Sequence, residues 1–136
     1  MRIKDIMQTN LFVLHEDDKL NDASDIMKLK KIRHIPIVDK KHRLIGLVTH
    51  KDLLSALAFK SGSIQIKEIM NKEIKAVEPD IPLKGAIDVM IVNKFGCLPV
   101  VDANRKLIGI VTEFDLLKTL YEVSSMPNDF YIKSAL

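Results

Sequence analysis

A chain of 136 residues, 47% apolar and 29% charged, can build one compact domain or two small units sharing a core, which excludes whole-chain disorder. Its apolar runs fall far short of the ~20 residues of a membrane-spanning helix, and Met1-Arg2-Ile3-Lys4-Asp5 lacks the apolar stretch of a secretory signal, so a cytoplasmic protein is expected. The net charge of +3 is mild and interleaved, too little basic surface for sequence-reading nucleic-acid binding.

The elements repeat. Pro36 and Pro99 stand 63 positions apart (99 − 36), and the same offset relates Met7 to Met70, Gly46 to Gly109, Thr49 to Thr112 and Asp52 to Asp115. Residues 3–57 therefore overlie 66–120 without a gap. Two copies are too few for an open solenoid, so a closed pseudo-twofold pair is expected. The units are read as 1–60 and 66–120, with a linker at 61–65 and a tail at 121–136.

Within a unit the order is strand, helix, strand, strand, helix. After Asp17-Asp18, which can cap a helix start, Leu20, Ala23, Ile26 and Met27 recur at helical spacing. In the second copy Pro82 suits a first helical turn. Ile35–Val38, a polar turn through Lys40, Lys41 and His42, and Leu44–Val48 read as a hairpin covered on both faces. A second helix opens at Thr49-His50-Lys51-Asp52 and carries Leu53, Leu54 and Leu57. Ser61-Gly62-Ser63 reads as a flexible joint, and Tyr121 to Leu136 as a tail that docks on the body or on a second chain.

Thr49-x-x-Asp52 and Thr112-x-x-Asp115 match capping boxes. Each is preceded by a glycine that ends an apolar strand, which would give a phosphate or ribose room beside a helix N-terminus; cap and ligand contact can coexist. Arg33-His34 stands before the first central proline and Gly96-Cys97 before the second. Arginine grips phosphate oxygens and neither glycine nor cysteine replaces it, so two such sites would bind unequally. The basic run Lys28, Lys30, Lys31, Arg33 is either a solvated helix end or a phosphate-facing patch. Lys51 is equally a solvated lysine or a phosphate ligand, and Phe114 a core or interface aromatic. Cys97 is the lone cysteine, read as a small buried hydrophobe. The four histidines form no metal spacing and read as surface residues. Met7, Met27, Met70 and Met90 read as core filler.

Three blocks per copy carry a resemblance: Lys4-Asp5-Ile6-Met7 with Lys67-Glu68-Ile69-Met70, Arg33–Asp39 with Gly96–Asp102, and Gly46–Leu53 with Gly109–Leu116. They resemble the cystathionine-β-synthase (CBS) domain, whose tandem pair is called a Bateman module. The resemblance implies an α+β (α/β) fold of two pseudo-twofold units, each a small three-stranded sheet with helices packed on it. It also implies two clefts that hold adenine nucleotides (AMP, ADP or ATP) or S-adenosylmethionine. On the family pattern Asp52 and Asp115 take ribose hydroxyls, Thr49 and Thr112 lie near ribose or phosphate, and Asn10, Leu11, Ile35, Pro36 in one copy and Glu73, Ile74, Leu98, Pro99 in the other enclose adenine.

The leading functional expectation is a non-enzymatic regulatory sensor with no required cofactor, acting in trans on an unidentified effector protein. The alternative is a dimerisation or protein-interaction module with vestigial clefts. An enzyme ranks third, because one carboxylate per copy suggests two binding sites in place of an acid–base pair. The resemblance further implies a disc-like homodimer, for which Leu53, Leu54, Leu57, Leu116, Leu117 and Leu120 supply apolar surface.

Overall fold

Both repeats fold alike in the computed structural model, which describes residues 1–124. Each opens on a 3-10 turn, Ile3–Asp5 or Ile66–Glu68. The first copy continues with α1 (Leu20–Lys30), β1 (His34–Val38), β2 (Leu44–Thr49) and α2 (His50–Phe59). The second has α3 (Leu83–Asn93), β3 (Cys97–Val101), β4 (Leu107–Thr112) and α4 (Glu113–Val123). The architecture is the expected α+β pair. Helix α4 runs past Leu120, so the first residues assigned to the tail are helical, and the docking expected of the remainder lies outside the described residues.

The hairpins share one register. β1 pairs antiparallel with β2 (Ile35 opposite Val48, Ile37 opposite Gly46) and β3 with β4 at the positions 63 residues on, each with an irregularity before its last pair. The third strand of each sheet shrinks to a single parallel bridge, Leu14 to Ile37 and Val77 to Val100. Leu14 N–H donates to Pro36 O at 3.2 Å and Val38 N–H to Leu14 O at 3.0 Å. The next donation of a parallel ladder would come from residue 36, and proline has no N–H to give, so pairing stops there; Pro99 imposes the same limit beside Val77.

Helix starts differ from the sequence expectation. Lys19, not Asp17 or Asp18, is the N-cap of α1; its N–H donates to Asp22 Oδ2 at 2.8 Å, while Asp18 accepts from His15 N–H. Pro82 is the N-cap of α3 and not its first helical residue. The Ser61-Gly62-Ser63 joint is tied down: the Gly62 and Ile64 carbonyls accept from Asn21 and Leu20 N–H at 3.0 and 2.9 Å, satisfying first-turn donors of α1.

Burial crosses the repeat boundaries. The first core joins Leu20, Ala23, Met27, Ile35, Ile37, Val48, Leu53 and Ala56 to Ile66 and Met70, which belong to the second copy. The second core joins Ala86, Met90, Leu98, Val100 and Val111 to Ile3 of the first copy, with Met7 packed against it. A third cluster, Val38, Leu44, Val101 and Leu107, seals the two hairpins together. Leu44 N–H donates to Arg105 O and Leu107 N–H to His42 O across that seam. The four equivalent methionines are core material, as their spacing suggested.

Candidate functional site

Thr49 and Thr112 close their helix starts as capping boxes. Thr112 Oγ1 accepts from Asp115 N–H at 3.3 Å, and Asp115 Oδ2 accepts from Thr112 N–H at 2.8 Å and Thr112 Oγ1 at 3.0 Å. Thr49 and Asp52 repeat the arrangement. The glycines before them have a packing reason and not a ligand one. A Cβ on Gly46 would lie 2.6 Å from Met70 Sδ, and one on Gly109 2.6 Å from Met7 Sδ. The room foreseen for a phosphate or ribose is filled by the methionine of the opposite copy.

A cleft of about 350 Å³ opens between the copies. One wall is the connection through Asn10, Leu11 and Phe12 with the α1–β1 corner (Lys31, Arg33, His34, Pro36), and the other is Gly96, Ile110, Thr112, Glu113 and Phe114. Corner and wall meet where the His34 side chain, at the start of β1, reaches Gly96, just before β3: a Cβ on Gly96 would sit 2.9 Å from His34 Nε2. Glycine at 96 thus seats the His34 ring, which argues that His34 of the first copy and Gly96 of the second are complementary and not merely divergent.

Of the residues expected to bind a ligand, the cleft gathers Asn10, Leu11, Arg33, His34, Pro36 and Thr112. Asp115 stands just behind, 9% exposed, joined to the lining by Gln8 Nε2, which donates to its Oδ1 at 2.7 Å. The sequence left open which carboxylate shares a cleft with Arg33 and His34; the fold pairs them with Thr112 and Asp115. Ile35, Leu98 and Pro99 are not on this surface: all three are fully buried, Ile35 in the first core and Leu98 in the second. Thr49, Lys51, Asp52, Glu73 and Ile74 lie outside this cleft; Lys51 and Glu73 are exposed and Ile74 packs on the inter-hairpin cluster.

The fold also recruits Gln8, Phe12, Glu113 and Phe114. Each differs from its partner 63 residues away (Asn71, Lys75, His50, Lys51), so a search for broken matches would have found them. Phe12 carries Lys30 Nζ 5.1 Å from its ring centroid, a cation–π contact. Lys31 and Arg33 give the corner positive charge facing Glu113. Burial pulls the His34 pKa below its ordinary 6.5, Glu113 opposes this and Arg33 adds to it. His34 is therefore a partly buried cleft residue and not the surface histidine expected. Burial, reinforced by Glu113, pushes the Cys97 thiol up to about 12, so it stays protonated at neutral pH, as a buried hydrophobe should. Among the described residues no group of three or more His, Cys, Asp or Glu is placed to hold a metal ion, and no helix is long and apolar enough to cross a membrane.

Two hairpin-and-helix units, laced together by exchanged N-terminal turns around a shared cleft, define a tandem pair. A family model of the CBS domain matches residues 3–59 and again 66–122; the chain belongs to the CBS-domain family. It is 33% identical over 120 residues to homoserine O-acetyltransferase of Methanohalobium evestigatum, a match covering 88% of this chain and 24% of that enzyme. The chain thus spans about a quarter of that relative's length. The CBS domain pair of protein MJ0100, solved with 5′-methylthioadenosine and S-adenosyl-L-methionine, is similar at a TM-score of 0.84 and 29% identity, covering 91% of this chain and 98% of that one. CBSX2 in complex with AMP is similar at a TM-score of 0.80 and 27% identity, covering 90% and 97%.

Proposed function

We propose that this chain is a regulatory module that senses an adenine nucleotide (AMP, ADP or ATP) or S-adenosylmethionine in the cleft between its copies. The observation that carries the reading is that Arg33 and His34 of one copy face Thr112 of the other across one cavity, with Asp115 behind it. Arg33, aided by Lys31, takes the phosphate or carboxylate end through charge-assisted hydrogen bonds. Asp115 accepts from the ribose, and Leu11, Phe12 and Pro36 offer an apolar slot for the base. The relatives solved with AMP and with S-adenosylmethionine support this ligand class. The counterpart set Thr49, Lys51, Asp52, Glu73 and Ile74 forms a second, weaker position, because Gly96 and Cys97 stand where Arg33 and His34 would supply charge. Calorimetric titration with the four ligands tests this. Binding of at least one is expected, and Arg33→Ala weakens a phosphate-bearing ligand by roughly tenfold to a hundredfold, the worth of a hydrogen bond to a charged group. No heat with any ligand sinks the reading.

The module also pairs with a second copy through α2 and α4. Leu53 is 3% exposed and belongs to the first core, and Leu116 packs on the second, whereas Leu54, Leu57, Leu117 and Leu120 remain exposed, with Phe59 and Phe114 beside them. That puts two of the six expected leucines in the cores and leaves four on a free face, and a free face of this kind marks an interaction site. Light scattering should give twice the 15.4 kDa chain mass; a monomer at high concentration would remove the claim.

A further inference from the structure

The Asp115 carboxylate is nearly saturated by its own protein. A carboxylate offers about four acceptor positions, and Oδ2 already takes the N–H and hydroxyl of Thr112 while Oδ1 takes Gln8 Nε2. That leaves room for one ribose hydroxyl, and a ribonucleoside presents two. Gln8 is held firmly at its root: its N–H donates to Ile110 O at 2.9 Å and its carbonyl accepts from Ile110 N–H at 3.0 Å. Its side chain lines the cleft, and its Oε1 accepts from no group among the described residues, so the donation to Asp115 orients an amide whose acceptor end is spare.

The second copy has no such device. Asn71 makes the same two backbone bonds, to Leu47. Its side chain is one methylene shorter, turns to accept from Glu73 N–H at 3.0 Å, and makes no bond to Asp52.

We propose that Gln8 is a specificity residue that reads the vicinal diol of the ligand jointly with Asp115, each accepting one ribose hydroxyl. The inference rests on the nucleotide reading above and adds to it a ribose-over-deoxyribose preference confined to the cleft that holds Arg33. Its test is a cycle in which wild type and Gln8→Ala are each titrated with AMP, 2′-deoxy-AMP and 3′-deoxy-AMP, with a thermal melt confirming that the variant is folded. Wild type should lose about tenfold in affinity for each deoxy analogue, as one hydrogen bond is worth. Gln8→Ala should lose about tenfold on AMP and nothing further on the analogue that lacks the hydroxyl Gln8 receives. An equal loss on all three ligands would reduce Gln8 to a brace for Asp115 and overturn the proposal. A gain in affinity would do so too, since Gln8 would then be a plug. Failure of the wild type to bind any of them would instead bring down the nucleotide reading itself, and this inference with it.

Discussion

Asp115→Ala is expected to weaken AMP binding by roughly tenfold to a hundredfold, while Asp52→Ala leaves the affinity of the Arg33 cleft unchanged. The two carboxylates are equivalent in sequence and in local geometry, since each closes a capping box with the threonine three residues before it. Both substitutions therefore lose a helix cap, worth about 1 kcal/mol. Asp115 carries more. It is buried, and beyond the cap that both carboxylates close, its removal also takes away the acceptor of Gln8 Nε2. It also stands behind the wall that faces Arg33, where the loss of a charged acceptor for a ribose hydroxyl produces the drop in affinity. Calorimetry on both variants, with chemical denaturation to register the cap, separates the effects. Equal loss of AMP affinity in the two variants would show that the ligand does not discriminate between the clefts.

Ile3→Ala should destabilise the protein by about 2–5 kcal/mol, the cost of emptying a fully buried aliphatic site, and the damage should appear in the second copy. Ile3 is 0% exposed and sits among Ala86, Met90, Leu98, Val100 and Val111. Its N–H also donates to Ile81 O at 3.1 Å. Urea denaturation measures the total, and amide exchange locates it: protection should fall first in α3, β3 and β4, not in α1 and β1. Loss confined to the first copy would contradict the exchanged packing. A local cavity acts on the elements that line it, and Ile3 lines only the second core.

Much of the fold was legible because it is written in short-range signals. Proline and glycine at a constant offset mark the hairpins, helical spacing marks the helices, and Thr-x-x-Asp marks the starts of α2 and α4, which stand where expected. The departures from the sequence expectation share one cause. Gly46 and Gly109 invited a phosphate because nothing nearby in sequence explained them, yet the atoms that require them, Met70 Sδ and Met7 Sδ, arrive from the other copy. The family resemblance implies Ile35 and Leu98 for the base pocket, but a hairpin covered on both faces turns them into the cores. Asp18 does not cap α1 because its carboxylate accepts from His15 N–H, while Asp22 closes the helix start on Lys19 N–H.

The amino-acid sequence by itself determined that there are two copies, that each is a hairpin with flanking helices, and that Arg33-His34 against Gly96-Cys97 makes them unequal. Tertiary structure alone decided which half faces which. Side chains 63 positions apart are equivalent under the pseudo-twofold, so their similarity reports the shape of a unit and not its neighbour. Only the crossing of Ile3 to Met7 into the second core and Ile66 to Met70 into the first brings Gln8 against β4. That crossing places Asp115 across the cleft from Arg33.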